Sequence, residues 1–262
     1  MPAARKLLIV NADDLGRTPG INAGVFAAHD NGIVTSATLM VAHPAAEEAA
    51  AELPRHPGLG VGLHVSLTGG TPVLPPERVP SLVDSEGRLP RRPDALAAAA
   101  PAEIAAEVEA QLDRFRRLTG CLPTHLDSHH HAHRLPAVCD ALAAVARRED
   151  LPVRNASPET AERLRRAGLR TPDAFVDGFY GAGATLDSLL AILAALGPVI
   201  TELMCHPGTA DDQALRRDST YADDRERELA VLTDPAARRA LAAHGVALTH
   251  FGSAWPSGPS AR

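Results

Sequence analysis

The sequence predicts an α/β fold, an irregular (β/α) barrel of seven or eight parallel strands, and three observations carry that expectation. Short apolar runs alternate along the chain with alanine-rich amphipathic segments, the pattern of repeated strand and helix that builds a parallel sheet. The 262 residues, 45% hydrophobic and without a composition break, suit one barrel-sized domain spanning 1–262 better than two small ones. Residues able to do chemistry gather just past the apolar runs, where barrel sites are built from loops.

Taken in order, the expected strands are Leu7 to Asn11, Ala37 to Val41, Leu59 to Val65, Thr124 to Ser128, Val153 to Asn155, Ala174 to Val176, Val199 to Cys205 and Val246 to Phe251. Between them the pattern predicts helices over Gly20 to Asp30, Ala45 to Leu53, Ala102 to Leu118, Ala137 to Arg148, Pro158 to Ala167, Leu186 to Leu196, Asp224 to Leu232 and Pro235 to Ala243. Pro101 opens one helix at a first-turn position and Gly120 closes it, the expected asymmetry of helix ends. Thr68 to Arg92, rich in Pro and Gly, is too long for an ordinary connection and reads as a lid or substrate loop. Ser253 to Arg262 reads as a flexible tail.

Composition excludes several classes. A net charge of -6, with Lys6 the single lysine and arginines spread among acids, argues against a nucleic-acid partner. Lys6 to Val10 is too short for a signal-peptide core, and no run reaches the roughly 18 apolar residues of a transmembrane segment, so the expected location is cytoplasmic. Cys121, Cys139 and Cys205 are odd in number and lack CxxC spacing, so they read as reduced packing residues. No G-x-G-x-x-G follows the first strand, which leaves a dinucleotide site without support. Homodimerisation is left open.

The most informative stretch is Asn11-Ala12-Asp13-Asp14-Leu15-Gly16. Adjacent carboxylates at the end of a buried strand resist joint ionisation unless a metal or other chemistry holds them. Candidate metal ligands follow at later strand ends: His64, and five histidines within His125 to His133, more than a core requires. Asp13, Asp14, His64, His129, Arg154 and His206 all fall at or just past expected strand ends, which a barrel gathers on one rim. Taken singly, each has a plainer reading: Asp13 as a helix cap, His64 as a core histidine, His206 as a turn anchor and Arg154 as a surface arginine. As a set they point to chemistry. Arg154 suits either orientation of the Asp13 carboxylate or binding of a substrate oxygen. His125 and Asp127 share a strand face, and either could fix an imidazole tautomer. Arg225 and Glu228, in Tyr221 to Leu229, read as a surface pair on a helix.

Asn11 to Gly16, Asn31 to Thr38, Leu63-His64 to Thr68, Thr124 to His133 with its Asp-Ser-His-His-His-x-His, and Cys205-His206-Pro207-Gly208 together resemble the YdjC-like family. That family includes the ChbG chito-oligosaccharide deacetylases and the hopanoid-associated HpnK proteins. The resemblance runs from about residue 7 to about residue 232, with Leu15 in place of the phenylalanine usual after the paired aspartates. It implies a deacetylase-like barrel and a divalent metal held by Asp14, His64 and His129, with Asp13 as catalytic base. Only the resemblance selects His129 over His130, His131 and His133. Two imidazoles and a carboxylate with open positions form the ligand set of a catalytic centre. Family members are usually assigned magnesium, whereas the imidazoles suit zinc better.

The implied reaction is removal of an N-acetyl group from an amino sugar, chito-oligosaccharide-like or glycolipid-linked, with His206 protonating the leaving amine. Two other readings compete. A metal-dependent phosphoesterase would bring basic side chains to the rim, and the lack of lysine after Lys6 speaks against it. A non-catalytic metal- or glycan-binding protein would have no use for Asp13. With 3% aromatic residues, no stacking platform for a long glycan is evident.

Overall fold

The computed structural model describes residues 5–209, 212–218 and 220–255. Seven parallel strands form one sheet: β1 (Lys6–Leu15), β2 (Ser36–Leu39), β3 (Gly60–Val65), β4 (Leu126–Ser128), β5 (Ala174–Val176), β6 (Ile200–Cys205) and β7 (Val246–Thr249). The order is β4-β3-β2-β1-β6-β5, with β7 also paired to β1. β6 takes one edge of β1 from Leu7 to Ala12, so β7, opposite Lys6 to Ile9, and β2, opposite Asn11 to Leu15, share the other. Thr35 stitches their junction, its N–H donating to Val10 O at 3.1 Å and its Oγ1 to Thr249 O at 2.6 Å. β1, β2 and β3 are buried on both faces, which explains apolar runs without alternation.

The helices are α1 (Pro19–Asn31), α2 (Ala46–Glu52), α3 (Pro101–Thr119), α4 (Pro136–Glu149), α5 (Pro158–Arg166), α6 (Leu186–Ala195), α7 (Gln213–Asp218), α8 (Ala222–Leu232) and α9 (Pro235–Ala243). Proline opens α1, α3, α4, α5 and α9, where its missing N–H costs nothing. Gly120 ends α3 at φ 73°, its N–H returning to Arg116 O at 2.9 Å. α7 was not among the expected helices.

The sheet curls into a half-barrel without closing. Of the strand expected at Val153 to Asn155, only an isolated bridge between Val153 and Leu126 forms. Pro152 and Pro172, which lack ladder donors, flank the gap toward β5, and Asn155 Nδ2 crosses it to Pro172 O at 2.6 Å. The expected tail is tied down at its start, where Ala254 is buried beside Ile9 and Phe251; residues 256–262 lie outside the described part.

Residues 68–92 form part of the cavity wall and are tied to the body of the fold. Buried Glu107 on α3 accepts the N–H groups of Val73 and Leu74 at 2.7 and 3.0 Å, and Val79, Leu82 and Leu89 join the core. Gly69 N–H donates to Pro90 O at 2.8 Å, pinning the two ends together. On the opposite side α1 meets the segment after β6 backbone to backbone: a Cβ on Gly24 would lie 2.4 Å from Gly208 Cα. That close approach draws the His206 segment over the end of β1.

Candidate active site

The paired aspartates owe their shared direction to an irregularity. Neighbours on a regular strand face opposite ways, yet the β1–β2 register shifts between Ala12 and Leu15, and Asp14 takes φ 70° before Gly16 at φ 86°. Both carboxylates therefore face one cavity of about 1200 Å³, also lined by His64, His129 and His206.

Asp14, His64 and His129 converge. Asp14 Oδ1 lies 3.1 Å from His129 Nδ1 and 3.5 Å from His64 Nε2, and the three potential ligand atoms are all within 4.8 Å of one another. Asp14 Oδ1 is buried without a hydrogen bond, an expensive state for a carboxylate oxygen that a cation would relieve. This donor set fits a divalent ion. Asp127 Oδ1 accepts from His64 Nδ1 at 2.7 Å, which leaves the Nε2 lone pair aimed at the cluster. Thr38 Oγ1 supports the same carboxylate, donating to Asp127 Oδ2 at 3.1 Å. Of the two candidates for this supporting role, His125 does not fill it: its Nδ1 lies 3.0 Å from Thr124 Oγ1, its Nε2 has no hydrogen-bond partner, and its ring stacks on Phe251.

The histidine run divides by geometry. His129 meets Asp14; His130, at φ 52°, stacks on His129 at 3.8 Å; His131 packs edge-on against Phe175; and His133 Nδ1 lies 2.5 Å from Ser128 Oγ. Asp13, His64 and Asp127 form a second, overlapping cluster, but Arg154 already engages both oxygens of Asp13 and Oδ2 of Asp127, and His64 Nδ1 takes Asp127 Oδ1.

Arg154 is wholly buried and absent from the cavity lining, which corrects its assignment to substrate. Its Nη1 and Nη2 donate to the two oxygens of Asp13 at 2.7 Å each, its Nη1 lies 2.9 Å from Asp127 Oδ2, and its Nε donates to Glu202 Oε1 at 2.8 Å. Burial alone would push the Asp13 carboxyl up, but the charge and hydrogen bonds of Arg154 prevail and hold it well below the usual carboxylate range. Glu202 offers the same guanidinium only one oxygen, its Oε2 being buried without a hydrogen bond, and burial pushes it up to about 7.

The other wall corrects a second expectation. Arg225 and Glu228 are buried, not a surface pair. Arg225 Nη2 donates to Asp14 Oδ2, while Glu228 accepts from the backbone N–H of His206 and, at 2.6 Å, from Tyr221 Oη. Burial raises Glu228 to about 7 and lowers His206 to about 4, the carboxylates Asp13 and Asp14 opposing the latter shift. The signal was present: Tyr221, Arg225, Glu228 and Leu232 repeat at i, i+4, i+7 and i+11, the inward stripe of α8. Cys205 packs as expected, with Sγ 3.4 Å from Asn11 O, and Cys139 is buried; Cys121 is exposed. The rim carries Arg17, Arg88, Arg91 and Arg217, so it is basic without lysine. Among the described residues no helix is long and apolar enough to cross a membrane.

Comparison with known proteins bears on this geometry. The family described as YdjC-like protein matches residues 7–243. A carbohydrate deacetylase of Geobacillus stearothermophilus is 46% identical over 244 residues, covering 93% of this chain and 96% of the relative. A chitooligosaccharide deacetylase of Serratia marcescens is 41% identical over 256 residues, covering 94% and 98%. A crystal structure from Enterococcus faecalis V583, of a candidate cellobiose-phosphate cleavage protein, matches with a TM-score of 0.89 at 34% identity, covering 95% of this chain and 98% of that one.

Proposed function

The chain belongs to the YdjC-like family, and from that premise we propose that it is a metal-dependent carbohydrate N-deacetylase, acting on the acetamide of a chito-oligosaccharide-like or glycolipid-linked amino sugar. The observation that carries the reading is the convergence of Asp14, His64 and His129 beside a carboxylate, Asp13, that a buried arginine keeps ionised. A binding protein gains nothing from that second carboxylate. Asp14, His64 and His129 would hold the ion, which supplies Lewis acidity to the acyl oxygen and to a water. Two imidazole donors favour zinc or another transition ion over magnesium.

Asp13 accepts the proton of the attacking water as the O–C bond forms. An ion-paired carboxylate is a weak base, so Asp13 contributes constant availability and fixed direction. The C–N bond then breaks, and the departing nitrogen needs a proton. His206 is neutral at rest, so it acts as a relay, passing to the nitrogen the proton that Asp13 accepted. Glu228 fixes the His206 backbone from behind. A cytoplasmic setting accords with three free cysteines.

The arginine rim favours a second reading, hydrolysis of a phosphoester. One assay separates them: acetate and phosphate release from N-acetylated saccharides, glycolipids and phosphoesters, with the metal varied. Acetate from an amino sugar is the expected product, and phosphate without acetate rejects the deacetylase.

A further inference from the structure

The chain has two tyrosines, and they stack on each other at the mouth of the cavity. The ring centroids of Tyr180 and Tyr221 are 4.2 Å apart with planes 5° from parallel. Tyr221 is nearly buried and held twice at its hydroxyl, donating to Glu228 Oε1 at 2.6 Å and accepting from Gly181 N at 2.6 Å. It is a rigid backing. Tyr180 remains 49% exposed and contributes to the cavity wall. Its ring also meets the edge of His206, centroids 5.3 Å apart at 75°.

We propose that Tyr180 is a sugar-stacking platform, binding the pyranose ring that carries the scissile acetamide; this rests on the deacetylase reading. Pyranose C–H groups cluster on one face and make it apolar, which suits an aromatic ring, while the hydroxyls radiate toward polar walls. A platform loses affinity if its ring must be ordered on binding, and the stack on Tyr221 orders it beforehand. The contact with His206 puts the platform beside the imidazole, so a sugar stacked on Tyr180 is bound next to the reacting groups. Apart from histidines, Tyr180 and Tyr221 are the only aromatic side chains lining the cavity among the described residues, so one sugar is stacked and further sugars gain little. Tyr180 is a specificity residue that binds and does not react.

The test uses the full chain loaded with metal and N,N′-diacetylchitobiose as probe. Tyr180→Ala should raise KM about tenfold while kcat stays within about twofold, the size of one aromatic contact. Tyr180→Phe should keep the wild-type KM, and metal content should be unchanged in both. An unchanged KM in Tyr180→Ala, or a fall in kcat alone, overturns the platform, the second outcome making Tyr180 a support for His206. Saturation-transfer NMR with the same disaccharide separates this from the reaction itself. Binding that wild type shows and Tyr180→Ala loses, without acetate release, keeps the platform and rejects deacetylation; no binding by wild type overturns the platform.

Discussion

Arg154, itself wholly buried, grips Asp13 with two parallel hydrogen bonds of 2.7 Å each. The same guanidinium also holds Asp127 and Glu202, so one cation serves three buried carboxyl groups. Replacing it with Met should destabilise the protein by about 3–5 kcal/mol, because buried charges are left uncompensated. Urea denaturation measures this, and a midpoint equal to wild type would contradict the central place given to Arg154.

Metal content should follow the three converging side chains. Asp14→Ala, His64→Ala and His129→Ala should each strip the ion and activity together, and Asp127→Asn, which weakens the hold on the His64 ring, should lower affinity roughly 10- to 100-fold. Elemental analysis of each purified variant decides it. Full occupancy in His64→Ala would sink the ligand assignment.

The paired aspartates should separate cleanly. Asp13→Asn should keep its metal and lose about 10² to 10⁴ in turnover, as for a missing general base, whereas Asp14→Asn should lose the metal itself. Metal titration and acetate-release kinetics on the pair give the contrast. Near wild-type turnover in Asp13→Asn would show the division of roles to be wrong.

Residues 68–92 should show the same hydrogen-exchange protection with and without a saccharide, since Glu107 and the Gly69–Pro90 bond already hold them. Glu107→Ala should release Val73 and Leu74 first. Strong protection gained only on adding saccharide would restore a closing lid.

Acid should destabilise the metal-free protein. Burial holds His43 and His130 at about 4, His131 at about 2, His133 at about 3 and His206 at about 4, so below pH 6.5 the unfolded chain takes up protons that the folded one refuses. Glu202 and Glu228, raised to about 7, bind protons in the folded state and oppose this between pH 4.5 and 7, and His64, raised to about 10, opposes it above pH 6.5, so below that the lowered histidines outnumber the groups that oppose them. Stability should therefore fall from pH 6.5 toward 4.5, by up to about 1.4 kcal/mol per pH unit for each net proton. Denaturation midpoints at pH 6.5 and 4.5 test the sign; equal midpoints would refute it.

Much of this was readable from residue order. Strand ends placed Asp13, Asp14, His64, His129 and His206 on one rim, because parallel barrels gather carboxyl ends whatever the details of closure. What escaped was what period and spacing cannot encode. Arg225 and Glu228 carry charge on the inward stripe of α8, where a charge-based reading assigns solvent and tertiary pairing decides otherwise. Arg154 was placed at the right strand end, but whether it met substrate or Asp13 depended on depth, which a sequence does not give. The convergence of Asp13 and Asp14 rests on the positive φ of Asp14, a conformation unusual outside glycine. The gap beside β5 follows from Pro152 and Pro172, whose effect depends on what neighbours them in space.

The three-way pairing of β1 has a consequence for how the molecule is made. The strand that ends in the paired aspartates is hydrogen-bonded to β2, which follows soon after it, and to β6 and β7, which lie at the far end of the chain. A ribosome releases β7 after the other six strands, so Lys6 to Ile9 wait for more than 200 further residues before half of their ladder exists. Such distant pairing slows folding and leaves an apolar strand exposed meanwhile. A product truncated before Val246 would carry the aspartates on a strand with one edge half open, a ready target for chaperones or for aggregation.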